Sequence, residues 1–210
     1  MGETKRRAAI LSAASRLFAE KGYVDTTTSE IACAAGVAEG TLYHHFDSKD
    51  GIFLTIFDEM TDGYLAGAEA AVRAGRTGAE TLSALVRFHF DYVERHAARF
   101  LVIMRDFPAH LAAASAGRAA AARSRLGRLT DLLTETLARG TADGTLRLAF
   151  PARDTAEMIR ATLYGTTRHR MIGIIDTPLP RLARVIEAFC RQALRPPAGE
   201  GGKQREGGRK

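Results

Sequence analysis

Residues 39–51 read EGTLYHHFDSKDG, and this stretch gathers side chains that can form directed hydrogen bonds: a threonine hydroxyl, a phenol and two imidazoles. A glycine stands among them and Asp-Ser-Lys follows. On a helix, Leu42 and Phe46 are i, i+4 neighbours that point inward. At about 100° per residue, Gly40, Thr41 and His44 then share the opposite side, with Tyr43 and His45 on the flanks. Glycine in a first helical turn costs about 1 kcal/mol relative to alanine. A surface helix that carries it lets another body approach its backbone. The chemistry on offer is recognition through hydrogen bonds rather than bond making.

The rest of the chain supports no competing chemistry. No Ser/His/Asp order, glycine-rich phosphate loop or pair of carboxylates on one face can be read from it, which argues against an enzyme. His44, His45, His89, His96, His110 and His169 have no HxxxH spacing, and Cys33 and Cys190 are too few and too far apart for a zinc site or a disulfide framework. Two reduced thiols, no metal and no cofactor are expected. There is no apolar run of about 18 residues, hence no membrane span. The opening MGETKRRAAIL mixes charges with apolar residues and lacks a signal-peptide core, so a cytoplasmic location is expected.

The elements that must position these groups read as helices throughout. Ile10, Leu11, Ala14, Leu17 and Phe18 form one stripe that Gly22 closes. Thr27-Thr28-Ser29-Glu30 matches a capping box that starts a short helix ending before Gly36. Gly36-Val37-Ala38 is a three-residue break before the stretch at 39–51, and Asp47 or Ser48 caps a longer helix beyond it. Further on, a segment from Phe100 to Phe107 is expected to stop at Pro108. An Ala/Arg-rich helix over about 112–139 follows; its basic part, 118–128, reads as a solvated face. Pro178 and Pro180 open a last helix. The sequence predicts an all-α fold of about nine helices: an N-terminal three-helix unit over 4–64, a larger bundle over 75–195, and a Gly-rich, charged, disordered tail over 196–210.

Two short helices joined by a glycine-containing turn make a helix-turn-helix, here at about 27–46, whose second helix enters a DNA major groove. Each peculiarity of the opening stretch then has a use. Gly40 admits the duplex, and Thr41 offers a hydroxyl to a base edge and a methyl to thymine. Tyr43 and His44 suit neutral phosphate contacts, Lys49 a charged one, and Thr28 its hydroxyl and amide. The net charge of +6 does not make this case. Residues 1–50 hold six Lys/Arg against seven Asp/Glu, and the excess lies beyond residue 150.

The run ILSAASRLFAEKGYVDTTTSEIACAAGVAEGTLYHHFDSKDGIF, residues 10–53, resembles the N-terminal DNA-binding domain of the TetR family. The resemblance rests on LFAEKGY, the Thr triplet, the AGV turn and GTLYHHF followed by SK, and covers about a quarter of the chain. It implies a homodimeric, ligand-responsive regulator of double-stranded operator DNA, most often a repressor, with an inducer pocket in the larger domain. A ligand-independent regulator or an activator on the same fold is the alternative. Two positions depart from the family pattern. Ala38 stands where a serine N-cap is common, and Glu39 replaces a basic or small residue. Glu39 either complements the helix dipole or accepts from a cytosine amine, and it throws weight onto Lys5, Arg6, Arg7 and Lys49.

Met60, Tyr64, His89, Met104, Phe107 and Tyr164, with Phe88 and Tyr92, are candidates to line a cavity for an apolar or aromatic small-molecule effector. Leu182, Val185, Ile186, Phe189 and Ala193 form one stripe on the last helix, too apolar to face water. The resemblance places the dimer interface there.

Overall fold

The computed structural model describes residues 2–113 and 116–196, with the side chains at 106–113, 116 and 118 left aside. Nine helices are found among these residues, and no strand. In order they are α1 (Glu3–Lys21), α2 (Thr28–Ala35), α3 (Glu39–His45), α4 (Lys49–Ala74), α5 (Gly78–Arg95), α6 (Ala97–Ala113), α7 (Ala116–Ala142), α8 (Ala152–Met171) and α9 (Leu179–Ala193). No helix among the described residues is long and apolar enough to cross a membrane.

Local chemistry sets the first boundaries. Thr27 Oγ1 accepts from the Glu30 amide at 3.2 Å while the Glu30 carboxylate accepts from the Thr27 amide at 2.9 Å. This reciprocal pair satisfies two amides that the start of α2 would otherwise leave open. Gly36 ends α2 at φ 66°, a left-handed conformation that costs glycine nothing for want of a Cβ. Ser48 caps α4 by accepting from the Gly51 amide at 3.0 Å.

α4 runs unbroken for 26 residues and belongs to both parts of the molecule. Its first half completes a core with Ile10, Phe18, Ile31 and Leu42, and its second half packs on α5 and α7. The α4–α5 approach is close because a Cβ on Gly67 would lie 2.4 Å from the Phe88 ring, and one on Gly63 would lie 2.7 Å from the Tyr92 hydroxyl. The N-terminal core also takes in Tyr92, Val93, Phe100, Val102 and Met104, so packing continues from the helix-turn-helix into the bundle.

One boundary differs from expectation. α6 does not stop at Pro108 but continues to Ala113. A proline removes one helical hydrogen bond and crowds the preceding turn, whereas α6 packs on α1, α4, α5, α7 and α8. Tertiary packing outweighs the local preference. Of the tail predicted over 196–210, all but Pro196 lies outside the described residues.

Candidate nucleic-acid interface and effector cavity

The helix-turn-helix is held by Ile31, Ala32 and Leu42, all buried, and turns its polar residues outward. Ala38, Glu39, Gly40, Tyr43 and His44 are exposed, and Thr28 and Thr41 are half-exposed. A methyl placed on Gly40 meets no atom of the chain within 4 Å, so nothing inside the subunit requires a glycine there. Thr28, Glu39 and Tyr43 are brought together: Thr28 Oγ1 lies 3.2 Å from Glu39 Oε1 and 3.1 Å from the Tyr43 hydroxyl. A carboxylate only accepts, so the Thr28 O–H donates to Glu39 and the Tyr43 O–H donates to Thr28. Both hydroxyl protons that a phosphate would need are thereby engaged, Thr28's by Glu39 and Tyr43's by Thr28. Ala38 provides no side-chain cap for α3. His44 and His45 stack edge to face, 5.5 Å between centroids.

Two basic groups expected on phosphate have other work. Lys49 Nζ donates to the carbonyls of Thr26 at 2.7 Å, Tyr23 at 2.9 Å and Val24 at 3.3 Å, and sits 4.4 Å from the Tyr23 ring centroid. In the single subunit Lys49 is thus engaged by backbone carbonyls, where a phosphate contact was expected. Its three donors are taken by a loop that is 23 to 26 residues distant in sequence, and they clip that loop to the start of α4. Arg7 pairs with Glu59 at 2.7 Å and lies 5.5 Å from the Phe46 centroid. Lys5 and Arg6 remain exposed on the same turn of α1. Lys49→Met should lower unfolding free energy by about 1–3 kcal/mol, because three carbonyls lose a charged donor. Urea unfolding measures this, and the salt slope of DNA binding should stay as it was. Unchanged stability with a slope reduced by about one would restore the phosphate role.

In the bundle, Met60 and Tyr64 of α4, His89 of α5, Met104 of α6 and Tyr164 of α8 line one cavity of about 340 Å³. The Phe107 side chain, expected with them, lies outside the described residues. α7 contributes Leu126, Leu129, Leu132 and Leu133, and α8 contributes Arg160. Sequence reading missed these. The available signal for Arg160 was its position one turn before Tyr164, on the same face of α8.

His89 is the polar hub of this wall. Its Nδ1 lies 2.9 Å from the Tyr64 hydroxyl and its Nε2 lies 2.8 Å from Thr167 Oγ1. A neutral imidazole donates from one ring nitrogen and accepts at the other, and both hydroxyls can play either part, so the ring joins Tyr64 to Thr167 in either tautomer. Burial holds the imidazole at a pKa of about 4 and pushes the Tyr64 phenol up, so both are neutral at pH 7.

The cavity wall reaches the DNA-binding unit through α4 and α6. Next to Met104, the Arg105 guanidinium donates to the Phe18 carbonyl at the end of α1. Glu59 of α4 binds Arg7 of α1 and, at 3.9 Å, Arg99 of α6.

The stripe on α9 divides in two. Leu182 and Ile186, 8% and 6% exposed, are buried in the subunit's own core, although a place in a dimer interface was expected of them. Val185 and Phe189, 56% and 69% exposed, point outward, as does Ala193. The stripe is wide enough to face two ways: one edge meets α5 and the other is exposed. Met158 is also exposed, on the adjoining α8.

An exposed helix-turn-helix coupled by one long helix to a bundle that encloses a cavity defines a helix-turn-helix transcriptional regulator. Residues 10–56 match the family described as bacterial regulatory proteins, tetR family. Over 175 residues, 80% of each chain, this protein is 35% identical to the HTH-type transcriptional repressor KstR2 of Rhodococcus jostii (strain RHA1). The chain belongs to the tetR family and is a DNA-binding regulator of transcription. The ketosteroid transcriptional regulator KstR2 of Mycobacterium tuberculosis superposes with a TM-score of 0.76 at 26% identity, over 91% of this chain and 96% of that one. The regulator FadR of Bacillus subtilis, in complex with stearoyl-CoA, shares the fold with a TM-score of 0.75 at 22% identity, over 89% of this chain and 98% of that one.

Proposed function

We propose that this protein is a homodimeric repressor, released from a palindromic operator by a small, largely apolar effector that enters the bundle cavity. The observation that carries the reading is the cavity itself, whose walls include the two helices, α4 and α6, that hold the helix-turn-helix. Its lining is apolar but for a few groups, as ligand cavities are. A ketosteroid regulator and a stearoyl-CoA complex among the similar proteins agree with a large apolar moiety. On this reading residues 4–64 form the DNA-binding unit and 75–195 the effector and dimer unit. The protein acts in the cytoplasm by binding rather than catalysis.

Two half-sites demand one separation of the two recognition helices. An effector that preferred a different tilt of α4 and α6 would shift Phe18, Arg7 and Glu59 with them and misalign one half-site. A coupling of about 1–3 kcal/mol relieves repression about 5- to 150-fold, and operator must weaken effector binding by the same factor. Calorimetry of effector with and without operator tests this. Equal affinities would remove that compound as an inducer, and equality across a broad library would favour a ligand-independent regulator.

On the DNA side, Thr41 reads a base, while Thr28, Tyr43 and His44 position α3 on phosphates. Thr41→Ala should cost roughly 1 kcal/mol or more at one position of each half-site and little elsewhere. Glu39→Gln should instead raise affinity for all sequences, because it removes a negative charge that faces the phosphates while its amide oxygen can still accept from Thr28. Binding to a half-site mutant library reads both. Equal losses at every position for Thr41→Ala would overturn its base-reading role.

A further inference from the structure

Arg160 is the one charged side chain among the described residues that line the cavity. Its Nε is buried and has no hydrogen-bond partner. Arg160 also makes no ion pair among the described residues, whereas nearby arginines are well matched: Arg153 with Asp131 at 2.6 Å, and Arg125 with Asp58 at 3.1 Å and Asp62 at 3.0 Å. A guanidinium cannot escape by losing its proton, so placing part of it out of water unpaired is costly.

The other polar groups of the wall are already satisfied. Tyr64 and His89 bond to each other, and Thr61 donates to the Phe57 carbonyl at 2.8 Å. Tyr164, on the same face of α8 one turn further on, lies beside Arg160 and adds a phenolic O–H. A hydrocarbon effector would leave that cost in place, and a neutral acceptor would meet the hydrogen bond but not the charge.

We infer that the effector is an amphiphile with one anionic group, a carboxylate or a phosphate, seated on Arg160, and an apolar body that fills the cavity. This rests on the effector reading above and adds the class of head group. Arg160 suits either anion because its planar fork donates two parallel hydrogen bonds. The volume, about 340 Å³, is at the small end of ligand cavities. It takes one chain or a small ring system and leaves any bulky polar part of the molecule outside.

Calorimetry on the full-length protein tests this with two acid–alcohol pairs of different shape: laurate with lauryl alcohol, and naphthoate with naphthol. The wild type should prefer the acid of at least one pair by roughly ten- to hundredfold, the worth of a charge-assisted hydrogen bond. Arg160→Met, which keeps the apolar stem, should abolish the preference and leave alcohol affinity unchanged, and Arg160→Lys should restore part of it. Lauroyl-coenzyme A distinguishes the sources of charge: tighter binding than laurate assigns Arg160 a phosphate, weaker binding a carboxylate. Equal affinity for acid and alcohol in the wild type, which needs no variant to fold, overturns the anion site while the apolar cavity stands. So does an acid preference that survives Arg160→Met. Binding of neither member of either pair overturns the effector cavity itself, and this inference with it.

Discussion

Phe189→Asp is expected to leave a folded monomer that binds operator about 10²- to 10⁴-fold less tightly than the wild type. Phe189 lies one helical turn from Val185, both are largely exposed in the single subunit, and Met158 is exposed on the adjoining α8. A two-fold interface brings the same patch from each subunit together, so every apolar residue in it counts twice. Fully burying a phenylalanine is worth about 1.5–3 kcal/mol, and two aspartates facing across the axis would add repulsion and desolvation to that loss. The operator penalty follows because a dimer binds its second half-site as an intramolecular event, whereas two monomers bind independently. The contrast with Ile186→Asp sharpens the test. That side chain is buried in the subunit's own core, so its replacement should unfold the chain rather than split a dimer. Sedimentation velocity and circular dichroism on both variants, with operator titrations, measure these outcomes. A Phe189→Asp protein that remains a dimer at micromolar concentration would move the interface away from α9.

The second large effect concerns acid. Between pH 6.5 and 4 the protein should lose roughly 3 kcal/mol of stability through His89 alone. In the folded chain, burial between Tyr64, Thr167, Phe90 and Phe100 lowers its pKa from 6.5 to about 4. The unfolded chain takes up the proton first, so stability is fully present above pH 6.5 and declines until the folded form also protonates near pH 4. Protonation would make donors of both ring nitrogens, so the Tyr64 and Thr167 hydroxyls would both have to accept from the ring. Glu30 works at lower pH. Its hydrogen bonds with Lys21 and Thr27 hold it at about 2, so its contribution, present above 4.5, is lost as pH falls towards 2. Comparison of wild type with His89→Gln isolates the imidazole from the carboxylates. The difference in urea-unfolding free energy should narrow steadily as pH falls from 6.5 to 4. A difference independent of pH would mean that His89 is not the group that titrates.

The helix-turn-helix was legible in the sequence because its determinants are local. The Thr27–Glu30 box, the left-handed Gly36 and the inward pair Leu42 and Phe46 act within three or four residues, where spacing alone decides geometry. The same periodicity picked out five of the cavity-lining residues, since a face that is apolar on one helix must meet apolar faces on others. Periodicity does not say which neighbour covers a face. The stripe on α9 is continuous in sequence, yet Leu182 and Ile186 turn to the subunit's own core and Val185 and Phe189 to the outside. Lys49 reads as a phosphate ligand until the fold brings the Tyr23–Thr26 carbonyls onto its ammonium. Arg160 is one exposed-type residue among many on a basic helix until four other helices enclose it. Charge and hydrogen-bonding capacity belong to the sequence; whether a group spends them inside the molecule or keeps them for a partner depends on what the tertiary structure sets within about 3 Å of it.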